Sequence, residues 1–224
     1  MKPTQSNRRT KAMTLIEVVV VLAVIAIVAA MVLPAIMNRP DTSRKISCTN
    51  NLKQIGLSFW SWSGDNNDKF PMQVSITNGG AMELAALGNA AAVFQVMSNE
   101  MSNPKIALCP NGSLHSPATN WGPSFSNKTV SYFVGLDAIA NDPISILSGD
   151  DNFEINGTEV KSGVLQLTTN TPIQWTKARH RLQGNILLAD GSVYTIKNSE
   201  LAGAMTNQYA GPVGFTNRFR LAIP

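Results

Sequence analysis

The sequence predicts an α+β fold in which one long N-terminal helix lies over a small antiparallel sheet. Three observations predict it. Val18 to Leu33 is a run of sixteen residues without a polar side chain. Beyond it, Cys48, Leu52, Ile55, Phe59 and Trp62 recur at spacings of four, three, four and three, which places them on one helix face. After residue 130 come short β-prone runs, two of them joined by Asp190-Gly191. The aromatic-rich stripe needs an apolar partner surface, and a sheet supplies it most simply.

Residues 1–12 form a basic leader: Lys2, Arg8, Arg9 and Lys11 lie there with no acidic residue. The formal charge of +4 comes from this leader. Without it, fourteen basic residues face fourteen acidic ones, so the basic balance is a topology signal and no nucleic-acid partner is predicted. Positive charge ahead of the apolar run holds that end in the cytoplasm and sends the rest of the chain across the inner membrane. Residues 13–37, if helical, reach about 37 Å, slightly more than the ~30 Å hydrocarbon core of a bilayer. That helix can span, and nothing later can. Glu17 stands at its front, where a carboxylate costs up to roughly 2.5–3.5 kcal/mol if drawn to the membrane centre. A plain anchor leaves that residue unexplained, and a secretory signal peptide has a shorter apolar region.

The stretch AMTLIEVVVVLAVIAIV, with its basic leader, resembles the prepilin-type signature shared by type IV pilins and type II secretion pseudopilins. The resemblance implies that a prepilin peptidase cuts between Ala12 and Met13 and methylates the new amino terminus. Counted from Met13, Glu17 is the fifth residue and Pro34 the twenty-second, both at the family's offsets. Ala12 departs from the usual glycine but keeps a small side chain at the cut. In the family, the Glu17 position answers the charged amine of a neighbouring subunit, a pair that is costly when either member stands alone. The resemblance also implies a pilin-like fold, homopolymerisation with other pilin or pseudopilin subunits, and an inner-membrane assembly platform with an ATPase as partners.

Residues 38–64 continue as an amphipathic helix. Pro34 and Pro40 predict a kink or loosened turn near its start. Asn50, Asn51, Lys53 and Gln54 oppose the apolar stripe, and the pattern stops at Gly64 before Asp65-Asn66-Asn67-Asp68. The segment Cys48-Thr-Asn-Asn-Leu-Lys-Gln-Ile-Gly-Leu57 resembles pilin-like proteins expanded in planctomycetes and verrucomicrobia. The C-terminal pattern of His180, nine residues, then Asp190-Gly191 matches the same subgroup.

The remaining residues, 65–224, read as a periplasmic or extracellular α+β domain. Residues 79–103 predict one or two short helices broken near Gly88 and Asn89. Lys105 to Pro110 predicts a short extended segment, and residues 111–131 a surface loop pinned by Trp121 and Phe125. Strands are expected at Val130 to Leu136, Gly163 to Thr168, Ile173 to Lys177, Ile186 to Ala189, Val193 to Ile196 and the C-terminal residues. Asp190-Gly191 predicts a hairpin with positive φ at both positions. Asp150, Asp151 and Glu154 lie in an acidic stretch that reads as a solvated loop. It is also a weak calcium candidate, since oxygen-rich loops can supply the ligands calcium takes. His180 either meets the turn carboxylate of Asp190 or faces solvent.

Cys48 and Cys109 are the only cysteines. They suit a disulfide in an oxidising compartment, and Cys48 equally suits the buried stripe as a free thiol. With His115 and His180 the only histidines, no zinc set is evident and no cofactor is expected. No Gly-rich phosphate loop, nucleophile elbow or His-Glu-x-x-His motif appears, so the chain reads as a structural subunit and not an enzyme. The expected function is a type II secretion pseudopilus subunit; a type IV pilus subunit and a membrane-tethered binding module that never polymerises are the alternatives.

Overall fold

The computed structural model describes residues 14–37, 40–112, 115–168, 171–207 and 219–224. The chain divides into two compact units, Met1–Pro40 and Asp41–Pro224. In the first, α1 (Leu15–Met37) is helical through Pro34. Helix α2 (Pro40–Gly64) opens on Pro40, where a missing N–H leaves no intrahelical bond unmade. The kink or loosened turn expected near the two prolines does not break α1 at Pro34, and residues 38 and 39 lie outside the described residues, as do Ala12 and Met13.

In the second unit α2 ends at Gly64, where the acidic turn begins. Its stripe is fully committed to packing: Cys48, Leu52, Ile55 and Phe59 are wholly buried and Trp62 nearly so. Three short helices follow where one or two were expected: α3 (Met82–Ala86), α4 (Ala90–Val96) and α5 (Ser98–Met101). The break falls at Leu87-Gly88-Asn89, with Gly88 at positive φ and the Asn89 side chain capping α4 by accepting from Ala92 N. The segment read as extended near Lys105 is instead a 3-10 turn, Pro104–Ala107. Asn103 starts it by accepting from Lys105 N, and Pro104 presets the first turn.

Among the described residues nine strands follow: β1 (Tyr132–Gly135), β2 (Ile146–Asp150), β3 (Phe153–Ile155), β4 (Thr158–Glu159), β5 (Gly163–Leu167), β6 (Ile173–Trp175), β7 (Gln183–Leu188), β8 (Val193–Lys197) and β9 (Phe219–Ile223). A helix the sequence reading missed, α6 (Asn198–Asn207), follows β8. Six strands form an antiparallel sheet in the order β5-β9-β1-β2-β7-β8, and three form a smaller one, β4-β3-β6. Alternation along the central strands divides the core in two. Tyr132, Val134, Leu147, Leu187 and Ala222 face a core shared with α2 and α4, whereas Phe133, Ile146, Ile186, Leu221 and Ile223 join Phe153, Trp175 and Leu201 in a second core. Buried on both faces, these strands read as continuous apolar runs. Phe153 stacks on Trp175 with centroids 4.6 Å apart, and Gly184 leaves room for that indole, whose ring a Cβ would meet at 2.5 Å.

The two C-terminal strands of the predicted hairpin pair as β7 and β8, with Leu187 opposite Val193. The turn differs from expectation, because only Gly191 has positive φ. Gly191 N donates to Leu188 O and Leu188 N to Ser192 O, so Ala189, Asp190 and Gly191 form a three-residue loop with a left-handed glycine at its end. Asp190 closes it by accepting from Ser192 N and Oγ.

The two segments singled out in sequence meet here. A Cβ on Gly56 of α2 would stand 3.0 Å from Leu187 Cδ1 and 3.6 Å from the Gly191 Cα, so this glycine sets how closely helix and hairpin approach. Trp60, one turn on, donates its indole N–H to Ala189 O at 2.6 Å.

Candidate functional site

The N-terminal element is built from Thr14 upward. Thr14 precedes α1 and Glu17 is its third helical residue. Glu17 Oε2 accepts from Thr14 N at 2.8 Å and from Thr14 Oγ1 at 3.0 Å, while Glu17 N donates to Thr14 Oγ1 at 3.4 Å. This is a reciprocal capping box, satisfying donors that a helix start leaves open. Glu17 thus has a role within its own chain that the sequence reading did not assign. Beyond it, Leu15–Val32 has a mean hydropathy of 3.1 and none of it is buried within the chain. Thirteen large apolar side chains in this segment stand 42–83% exposed. At about 1.5–3 kcal/mol per side chain fully buried, covering them is worth on the order of 20 kcal/mol, more than the net stability of an ordinary domain. That surface requires lipid or sister helices. The helix is long and apolar enough to cross a membrane.

The second candidate is a buried polar knot at the start of the α2 stripe. Cys48 and Cys109 are joined by a disulfide, Cα atoms 4.9 Å apart, tying α2 to the segment after the 3-10 turn. Asn51 Nδ2 donates to Leu108 O, Tyr132 Oη to Cys48 O, and Cys109 N to Ser131 Oγ, so backbone groups on both sides of the bridge are engaged. His180 lies against the bridge, 3% exposed, with Nε2 3.4 Å from Cys109 Sγ and 3.4 Å from Asp150 Oδ2. Its Nδ1 faces the Asn111 amide at 2.9 Å. His180 therefore neither faces solvent nor joins Asp190, the two options its sequence position offered. His180, Arg181 and Leu182 have φ of 50°, 54° and 64°, three successive left-handed non-glycine residues costing roughly 1–2 kcal/mol each. Such strain persists where packing fixes the side chains it directs.

The acidic stretch is not a solvated loop. Asp150 ends β2 fully buried, and Asp151 follows nearly buried, because their carboxylates have partners inside. Asp150 Oδ2 accepts from Asn185 N at 2.7 Å and Nδ2 at 2.9 Å. Asp151 pairs with Arg179 at 2.5 Å and stands 3.2 Å from His115 Nε2. Arg179 also donates to Ser131 O, and Gly112 packs over its side chain so closely that a Cβ would meet Nε at 2.6 Å. Glu154 lies on β3 opposite Glu159 and Gln174, in the smaller sheet. Of the weak calcium candidates, Asp150 thus ends a strand of the larger sheet, Glu154 lies in the smaller one and Asp151 falls between them.

Burial pushes the Asp150 carboxyl up to about 7, with the Asp151 charge adding to the rise against the pull of Arg179 and Asn185. Burial pulls the His180 imidazole down to about 4, helped by the positive charges of Lys45 and Arg179. The Tyr132 phenol is raised, chiefly by burial. Asn111, Arg179 and Asn185 were missed in the sequence. Nothing in the local sequence around Arg179 signals burial, and only the folded strands reveal the buried acid it meets.

Residues 7–33 match the prokaryotic N-terminal methylation motif. No curated protein and no solved structure matches the chain. The motif match, the exposed apolar helix and the antiparallel α+β unit together support a prepilin-type protein, and the motif implies processing by prepilin peptidase and assembly with other pilin-like subunits.

Proposed function

We propose that this chain is a subunit of a type II secretion pseudopilus, cut after Ala12, methylated on Met13 and polymerised through α1. The observation that carries the reading is the methylation motif joined to a helix whose apolar stretch Leu15–Val32 is covered by none of the described residues. Before assembly the helix rests in the inner membrane, amino terminus toward the cytoplasm, and the disulfide-closed unit lies on the far side, where such bonds persist. On assembly α1 exchanges lipid for sister helices. Glu17 then turns from a cap for its own helix to a partner for the charged amine of Met13 on an adjacent subunit, fixing axial register. Platform and ATPase drive the exchange, and the folded unit forms the filament's outer layer.

The same first forty residues would serve a surface pilus. A deletion strain tells the two apart: loss of secreted proteins fits the pseudopilus, and loss of surface filaments with secretion intact fits the pilus. Mass spectrometry of the protein from native membranes tests the class as a whole. The expected mass lacks residues 1–12 and carries one added methyl on Met13. A chain retaining Met1 overturns the reading and leaves a tethered module.

A further inference from the structure

Among the described residues, one group of His, Cys, Asp or Glu side chains places three ligand atoms within 4.8 Å of one another: Cys48, Cys109 and His180, all buried; Asp150 stands outside that group but against the imidazole. With the disulfide formed, two of the distances around it already match a metal site. Zinc–sulfur bonds of about 2.3 Å and zinc–nitrogen bonds of about 2.0–2.1 Å at tetrahedral angles separate S from N by about 3.5 Å, and N from a carboxylate O by about 3.4 Å. Cys109 Sγ to His180 Nε2 is 3.4 Å, and His180 Nε2 to Asp150 Oδ2 is 3.4 Å. Asp150 Oδ1 is buried and has no hydrogen-bond partner among the described residues. The donor set, two sulfurs, an imidazole and a carboxylate, suits a thiophilic divalent cation.

We propose that, with the Cys48–Cys109 bond reduced, the two thiolates and His180 Nε2 bind one zinc-class divalent cation, with the Asp150 carboxylate beside the imidazole moving in as fourth ligand, so that disulfide and metal are alternative closures of one knot. Reduction by a dithiol puts two electrons and two protons on the sulfur pair and oxidises the dithiol to its disulfide. Binding of the cation then displaces to water the two thiol protons and the proton that buried Asp150 holds below about pH 7. The sulfurs must part to about 3.8 Å, which rotation about the two cysteine side chains accommodates. With Nε2 on the metal, Nδ1 carries the proton and donates to the Asn111 amide, turned to present its oxygen, which holds the ring in place. A chain that crosses the membrane with free thiols meets this choice before it is oxidised. The inference is independent of whether the subunit polymerises.

The test uses the full chain in detergent, unfolded and refolded under a dithiol with cobalt(II), because the ligands are buried in the folded state. The expected result is one cobalt per chain with thiolate-to-cobalt charge-transfer absorption and tetrahedral visible bands, abolished by zinc in competition. Asn111→Ala should weaken binding about 10–100-fold. His180→Ala, whose fold is verified in the oxidised form by near-ultraviolet circular dichroism, should lose the tetrahedral bands, and Cys48→Ser/Cys109→Ser should lose the charge-transfer absorption. If the reduced chain folds only with metal, recovery of native dichroism together with the charge-transfer band supports the site. Absence of that band in the wild-type chain, folded or not, overturns it, as does an unchanged spectrum in His180→Ala.

Discussion

Glu17 closes a capping box with Thr14, so its carboxylate is already hydrogen-bonded before any sister subunit arrives. Gly56 works by absence. It lets α2 settle against Leu187 and the hairpin loop, and Gly56→Val should cost about 1–3 kcal/mol in chemical denaturation through overpacking. His180 and Asp150 carry a pH signature in the disulfide-bonded protein. Asp150, raised to about 7 when folded, loses its stabilising proton as pH climbs from the ordinary carboxylate range through 7, so this group favours the fold at low pH. His180, lowered to about 4, stays neutral when folded while the unfolded chain takes up a proton below about 6.5, so it disfavours the fold at low pH. Between about 4 and 6.5 each state holds one proton on the pair and the two slopes cancel. Denaturation across that window should show stability falling toward acid in Asp150→Asn and rising toward acid in His180→Phe, each relative to wild type. Equal slopes in all three would contradict the assignment.

At the scale of elements, what could be read from the sequence followed from periodicity and turn chemistry. The stripe from Cys48 to Trp62 marked the buried face of α2, and Asp190-Gly191 marked the β7–β8 hairpin, because each rests on local spacing. The loop geometry was misjudged, since a three-residue loop needs positive φ only at its glycine. Strands β2 and β3 were hidden, because Asp150 and Asp151 give their segment the composition of a solvated loop. Only Asn185, Arg179 and the two histidines, brought from distant positions, make burial of those acids tolerable. The left-handed turn at His180 likewise has no signal in Arg-His-Arg-Leu, for its cause lies in the pocket that receives the imidazole. The disulfide joins α2 to the segment ahead of the sheet across a separation of 61 residues. Cys109→Ser should lower unfolding stability by about 4 kcal/mol on the chain-entropy estimate. A loss below about 1 kcal/mol would mean that the knot's hydrogen bonds hold the fold without it.

Across the whole molecule, the two units divide the work. Among the described residues, Asp41–Pro224 closes two cores of its own although eleven large apolar side chains stand exposed on it, whereas α1 closes none. A folded unit on a helix that cannot remain in water is what a subunit moving between bilayer and filament requires, and the charge at the head of that helix is the feature that would distinguish filament core from lipid. Glu17→Gln isolates it, since glutamine keeps the capping box and removes only the charge. The deciding measurement is incorporation of Glu17→Gln into sheared filaments beside wild-type protein at equal membrane level. The predicted result is normal insertion and processing with filament incorporation lost; incorporation equal to wild type would contradict the charge pairing through which the subunits are held to assemble.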